Sequence, residues 1–142
     1  SGSDQAKENA ARALRNLAVN DENQSRIGTH AGVVDGLVEL LRSGSDQAKE
    51  NAASALRCLT VNNDENQSRI GMNRGAIDGL LKLLRSDSDQ AKVIAVGVLA
   101  ILTINDENKI SSKNYLARAK GRSLISKSGI TTLKKSVYRP PG

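Results

Sequence analysis

The chain has 142 residues, 38% of them apolar, with one cysteine, two tyrosines and neither Phe nor Trp; that is enough for one compact domain or a short repeat array, but not for a core built on aromatic rings. The net charge of +6 hides an asymmetry: residues 109–142 hold nine of the 21 Lys/Arg and no acid, so residues 1–108 carry the remaining 12 against all 15 Asp/Glu, a net of −3. The lone Cys58 excludes an internal disulfide framework and suits a reducing compartment. The longest apolar-rich stretch, Val93 to Ile104, is shorter than the ~18 residues a membrane span needs. Residues 1–20 show neither the basic start nor the apolar centre of a secretory leader, so we expect a cytoplasmic protein, with the nucleus open to it.

The chain opens with SGSDQAKENA at Ser1, and the same ten residues return at Ser43; SDSDQAK follows at Ser86. NDENQSRIG occurs at Asn20 and Asn63, and NDENK at Asn105. Self-similarity at a fixed spacing is the signature of a repeat architecture. The spacing is 42 and then 43 residues, since Asn62–Asn63 adds one.

Each unit reads as three helices. A long one is expected from near Ser3, with Ala6, Ala10, Ala13, Leu14 and Leu17 on one face. A short helix follows at Asp21-Glu-Asn-Gln24, where Asp and Gln resemble a capping box. Gly32 is expected to mark a sharp turn before a third helix, Val33 to Arg42, with Leu37, Leu40 and Leu41 facing inward. The second period repeats this from Ser45, with Ala48, Ala52, Ala55, Leu56 and Leu59 inward, a capping box at Asp64 to Gln67, a turn at Gly75, and Leu80, Leu83 and Leu84 inward. The third long helix begins near Ser88 and is expected to span 89–104, with Ala91, Ala95, Val98, Leu99 and Leu102 on its inner face.

That third helix departs from the second. Val93 replaces Glu50, Ile94 replaces Asn51, Gly97 replaces Ser54, Ala100 replaces Arg57 and Ile101 replaces Cys58. A helix apolar nearly all round is expected to be buried nearly all round, because each large apolar side chain left in water forgoes roughly 1.5–3 kcal/mol. Val93, Ile94, Gly97 and Ile101 are therefore candidate assembly or docking residues, to be covered by the tail, by another copy of the chain or by an outside ligand, the plainer alternative being a C-terminal core helix beneath a degenerate cap.

In the tail, Ile130, Leu133 and Val137 keep the spacing of Ile77, Leu80 and Leu84. Gly129 to Val137 therefore reads as a worn second helix. Asn114 to Arg122 is basic and broken by Gly121, and Arg139-Pro-Pro-Gly142 is expected to be extended. Part of this segment is expected to be disordered. No aromatic platform or nucleic-acid motif accompanies its basic groups, so a nucleic-acid partner is not expected. Pairing with the acidic body, weakening with salt, is the other use for that charge.

No catalytic constellation is present. His30 is the sole histidine, which leaves neither a supported Ser-His-Asp arrangement nor a histidine-rich metal site. The Asp-Glu pairs at Asp21 and Asp64 recur with the period and belong to helix starts, and the glycines fall at repeat punctuation rather than in a phosphate loop. Cys58 reads as a packing residue. We expect no enzyme activity, no cofactor and no metal.

The residues Ala31-Gly-Val-Val-Asp-Gly-Leu-Val-Glu-Leu-Leu41 and Ala13-Leu-Arg-Asn-Leu-Ala18 resemble the armadillo repeat family across roughly residues 1–108, with Asp35 where that family often has proline. The resemblance implies an all-α, right-handed superhelical solenoid of two and a half to three repeats that binds proteins or extended peptides and does no chemistry. It also implies a ligand groove along the long helices, lined here by Asn9, Arg12, Asn16, Asn51, Ser54 and Cys58, with Ile101 at its far end. In peptide-binding members an Asn holds the ligand backbone and a Trp one turn earlier forms the side-chain pockets. The Asn position is Asn16, Cys58 and Ile101 in successive units and the Trp position is Arg12, Ser54 and Gly97, so only Asn16 keeps the pattern.

The expected organisation is a closing long helix in 1–20, full units at 21–62 and 63–108, and a basic segment at 109–142. The expected function is a protein-interaction scaffold that self-associates through exposed repeat faces, an isologous dimer being the simplest form. The alternatives are a groove receptor for an extended peptide, or a designed or truncated repeat array with no native ligand.

Overall fold

The computed structural model describes residues 2–119, which form seven helices: α1 (Gly2–Leu17), α2 (Asp21–Thr29), α3 (Ala31–Ser43), α4 (Asp46–Thr60), α5 (Asp64–Gly71), α6 (Arg74–Leu83) and α7 (Asp89–Ala119). The worn helix expected at 129–137, the expected disorder and the Pro-Pro end lie outside the described residues. The chain divides into two compact units, Ser1–Asn105 and Asp106–Gly142. The first is an all-α solenoid, and the described part of the second is the closing stretch of α7.

The repeated sequence produces repeated caps. Ser45 and Ser88 each accept a backbone N–H three residues on, Ala48 N and Ala91 N, both at 3.1 Å, which satisfies one orphan donor of the helix start. The short helices α2 and α5 are capped by Asn20 and Asn63, whose side chains accept from Asn23 N at 3.1 Å and Asn66 N at 2.9 Å. This corrects the expected capping box: the cap stands one residue before Asp21 and Asp64, and Gln does not reach back to it. Gln67 Nε2 donates instead to Thr60 O at 2.7 Å, and Gln24 Nε2 to Cys58 O and Val61 O at 2.7 and 2.6 Å. The glutamines thus tie down carbonyls at and just past the end of α4. The inserted Asn62 takes φ 53°, the one positive φ of a non-glycine residue among those described; asparagine tolerates that left-handed conformation best among ordinary residues.

The core is aliphatic. Ala52, Ala53, Ala55, Leu56, Leu59, Ile70, Leu80, Ala95 and Val98 are fully buried. Helix α3 packs on α4 and α6, and α1 packs on α4. The units are also clipped together by polar contacts that repeat with the period. Ser45 Oγ donates to Glu8 Oε1 at 2.5 Å, and Ser88 Oγ to Glu50 Oε2 at 3.5 Å. Asn73 Nδ2 donates to Asp35 Oδ1 at 3.2 Å.

Three other expectations are corrected. Gly32 and Gly75 are not turn residues; both lie in the first helical turn, and Gly75 serves close packing, since a Cβ there would stand 2.9 Å from Val38 Cγ1. Leu84 caps α6 and is exposed. Helix α7 does not end before Asn105, although NDEN starts a new helix in the two earlier units. There the residue after NDEN is Gln24 or Gln67, whose amide ties down carbonyls at and just past the end of α4; Lys109, which has no side-chain amide, stands in that place.

Candidate interaction surfaces

The inward stripe of α1 is the first surface. Its counterparts one period on, Ala48, Ala52, Ala55, Leu56 and Leu59, are buried by neighbouring helices. In α1 the same positions Ala6, Ala10, Ala13 and Leu17 are exposed and Leu14 is half-buried. The contrast is plainest at Leu17, 51% exposed, against Leu59 at 0%. The expected inward placement of this stripe therefore fails at the first helix, because no described helix lies against it in the way α2 and α3 lie against α4. Between α1 and α3 this leaves an apolar groove of about 410 Å³, floored by Ala10, Leu14, Val33, Leu37 and Leu40.

The second surface is on α7. Glu8 and Glu50 clip the serine that starts the next long helix; the residue at their place is Val93, 64% exposed, so the carboxylate ladder stops there. Val93, Val96, Gly97, Ala100 and Ile104 follow helical spacing along one open stripe. Val96 and Ile104 were missed by comparing units position by position, and would have been found from the 3.6-residue period alone. Ile94 was expected on this face and is not: it is 2% exposed, in the core stripe with Ala91, Ala95, Val98 and Leu102. Ile101 is half-buried, and Gly97 is half-exposed with open space where a Cβ would point.

The third is the row expected to hold a peptide. Asn9, Arg12 and Asn16 are exposed on α1. Asn9 Oδ1 accepts from Gln5 Nε2 at 3.2 Å and from Arg12 Nη2 at 2.8 Å, and Asn16 Oδ1 accepts from Arg15 Nε and Nη2 at 3.3 Å each. Ser54 and Cys58 on α4 are half-buried. Asn51 does not join the row. It is 6% exposed, its Nδ2 donates to Glu8 O at 3.2 Å and its Oδ1 accepts from Gln47 Nε2 at 3.1 Å, so it fastens α4 to α1.

His30 caps α3: its Nδ1 accepts from Gly32 N at 3.4 Å. Among the described residues no three His, Cys, Asp or Glu side chains group as a metal site, and no helix is long and apolar enough to cross a membrane.

The sequence model of the Armadillo/beta-catenin-like repeat matches residues 20–61, a span that runs from the cap of α2 to the end of α4. Comparison with curated proteins and with solved structures gives no match. Armadillo repeats generally mediate protein–protein interaction. The matched segment forms the helix triplet α2–α4, and the same triplet recurs as α5, α6 and α7, so the match supports an armadillo repeat at residues 20–61.

Proposed function

We propose that the chain is a non-catalytic scaffold that associates with copies of itself through its open apolar faces. The observation that carries this reading is the α7 stripe: Val93, Val96 and Ile104 are more than half exposed on one helix face, where each full burial would gain about 1.5–3 kcal/mol. A self-complementary patch of this kind favours an isologous dimer. An interface built on it is insensitive to salt, whereas one resting on the basic segment and the acidic body is screened. Size-exclusion chromatography with light scattering, run at low and high salt, tests this. A multimer that persists in salt is expected; a monomer throughout the micromolar range overturns self-association. A monomer also turns attention to the second reading, an extended peptide along Asn9, Arg12 and Asn16, which the exposure of those three side chains favours.

A further inference from the structure

We infer that α7 is a two-state element. It runs unbroken through Asn105, and it also opens there, with Asn105 passing from the helix interior to the cap of a new helix that begins at Asp106.

The sequence at the joint is one that the chain already uses to end a helix. Leu102-Thr-Ile-Asn-Asp-Glu-Asn108 keeps the spacing of Leu17-Ala-Val-Asn-Asp-Glu-Asn23. In the earlier segment α1 stops at Leu17 and α2 starts at Asp21, with Asn20 Oδ1 accepting from Asn23 N at 3.1 Å. Asn63 does the same for α5. Closely similar local sequence thus supports a break in one place and unbroken helix in another, so local preference is slight and the surroundings decide between them.

The unbroken form is imperfect at this residue. Asn105 is 6% exposed and its buried Oδ1 has no hydrogen-bond partner, whereas Asn20 is exposed and Asn63 half-buried. Thr103 shows the converse. Its counterparts Ala18 and Thr60 are buried, yet Thr103 is exposed, with its Oγ1 donating to Leu99 O at 2.8 Å. Continuing the helix has turned the amide inward and the small core residue outward. Opening at Asn105 reverses both. The N–H groups of Asp106 and Glu107 leave the carbonyls four residues back for water. That of Asn108 moves to Asn105 Oδ1, which satisfies the orphaned acceptor. Few bonds change hands, and the gain at Asn105 offsets the two released to water. The first compact unit also ends at Asn105, so the joint coincides with its boundary.

The opening bears on the apolar stripe of α7 without resting on self-association. Ile104 stays in line with Val93 and Val96 only while the helix is unbroken; its counterpart Val19 lies outside α1. Whatever covers the whole stripe therefore draws α7 toward the unbroken form.

Amide hydrogen exchange of the full chain, resolved by residue with NMR, tests this. Local opening releases the amides of Asp106 and Glu107 while the rest stays folded, so they are expected to exchange about tenfold faster, or more, than those of Val98 to Leu102. Two substitutions separate opening from simple fraying of the helix end. Asn105→Leu removes the cap and the orphaned acceptor together, and is expected to slow exchange at 106 and 107 by about fivefold. Lys109→Gln gives position 109 the amide that both earlier units use beside the cap, and is expected to quicken that exchange by about the same factor. Lysine and glutamine are alike as helix formers, so fraying would not register this change. Circular dichroism verifies that both variants remain folded. Amides at 106 and 107 as protected as those at 98–102 overturn the inference. So does exchange that the two substitutions fail to move in opposite directions. Complete loss of protection in the parent chain, not restored by Asn105→Leu, also overturns it, since that marks a helix broken outright.

Discussion

The side chain of Asn66 in α5 lies directly over Gly28 of α2, so close that a methyl group on Gly28 would overlap the Asn66 amide. From there Asn66 Nδ2 donates to Gln24 O at 3.1 Å and to Leu59 O at 2.8 Å, all of it buried. Gly28→Ala therefore displaces a doubly bonded amide, and is expected to cost about 2–3 kcal/mol although alanine is the better helix former. Gly71 is the same position one period on, and a Cβ there would meet only Leu102 Cδ2, at an ordinary 3.7 Å. Gly71→Ala is expected to be neutral or stabilising by up to about 1 kcal/mol. Urea unfolding of the two variants reads the opposite signs.

The same opposition holds between Gly79 and Gly36. Gly79→Ala drives a methyl against Leu41 in the core and should destabilise by about 1–3 kcal/mol. Gly36→Ala, in open space on α3, should stabilise by about 0.5–1 kcal/mol. Thermal melts of both against the parent check this.

Asn63 and Asn105 begin the same four-residue sequence and do opposite work. Asn63 caps α5 through Asn66 N, so Asn63→Ala is expected to cost about 1 kcal/mol. Asn105 sits inside α7, 6% exposed, with its buried Oδ1 lacking a partner. Asn105→Leu, of similar shape, should raise stability by about 1 kcal/mol by removing an unsatisfied acceptor. A fall in the midpoint for Asn105→Leu would mean that this asparagine is needed as a cap and that the helix breaks there in solution.

Leu17 and Leu59 occupy equivalent positions. Leu59→Ala empties a fully buried site and should cost about 2–5 kcal/mol. Leu17→Ala removes an exposed side chain and should change the stability of the isolated chain by less than about 0.5 kcal/mol.

Repetition made most of the architecture legible. The helix triplets, the stripe Ala48 to Leu59 and the core leucines followed from spacing alone, because burial imposes a 3.6-residue period that composition displays. Three things were not legible. The continuation of α7 through Asn105 runs against the NDEN that starts α2 and α5, and only Lys109 in place of the glutamine marks the difference. The inward turn of Asn51 depends on reaching a carbonyl of another helix, Glu8 O. The exposure of the α1 stripe depends on what lies beside it. Sequence pattern says which face is apolar, and only the packed neighbours say whether that face is covered. The glycines were misread for the same reason: as punctuation they looked equivalent, yet Gly75 and Gly79 are filled notches while Gly32 and Gly36 are open ones.

The polar clips between units join residues 34 to 43 positions apart, from Gln24–Cys58 to Asn51–Glu8, about one unit length each. Every such bond closes a loop of nearly the same size, so none bears a disproportionate entropy of closure. Order can then start at any adjoining pair of triplets and spread outward one neighbour at a time. Lengthening such an array by another copy adds one more nearest-neighbour term of the same kind and leaves the existing ones untouched. On that footing, duplication of a 42-residue segment is a change the fold absorbs without having to reinvent its core.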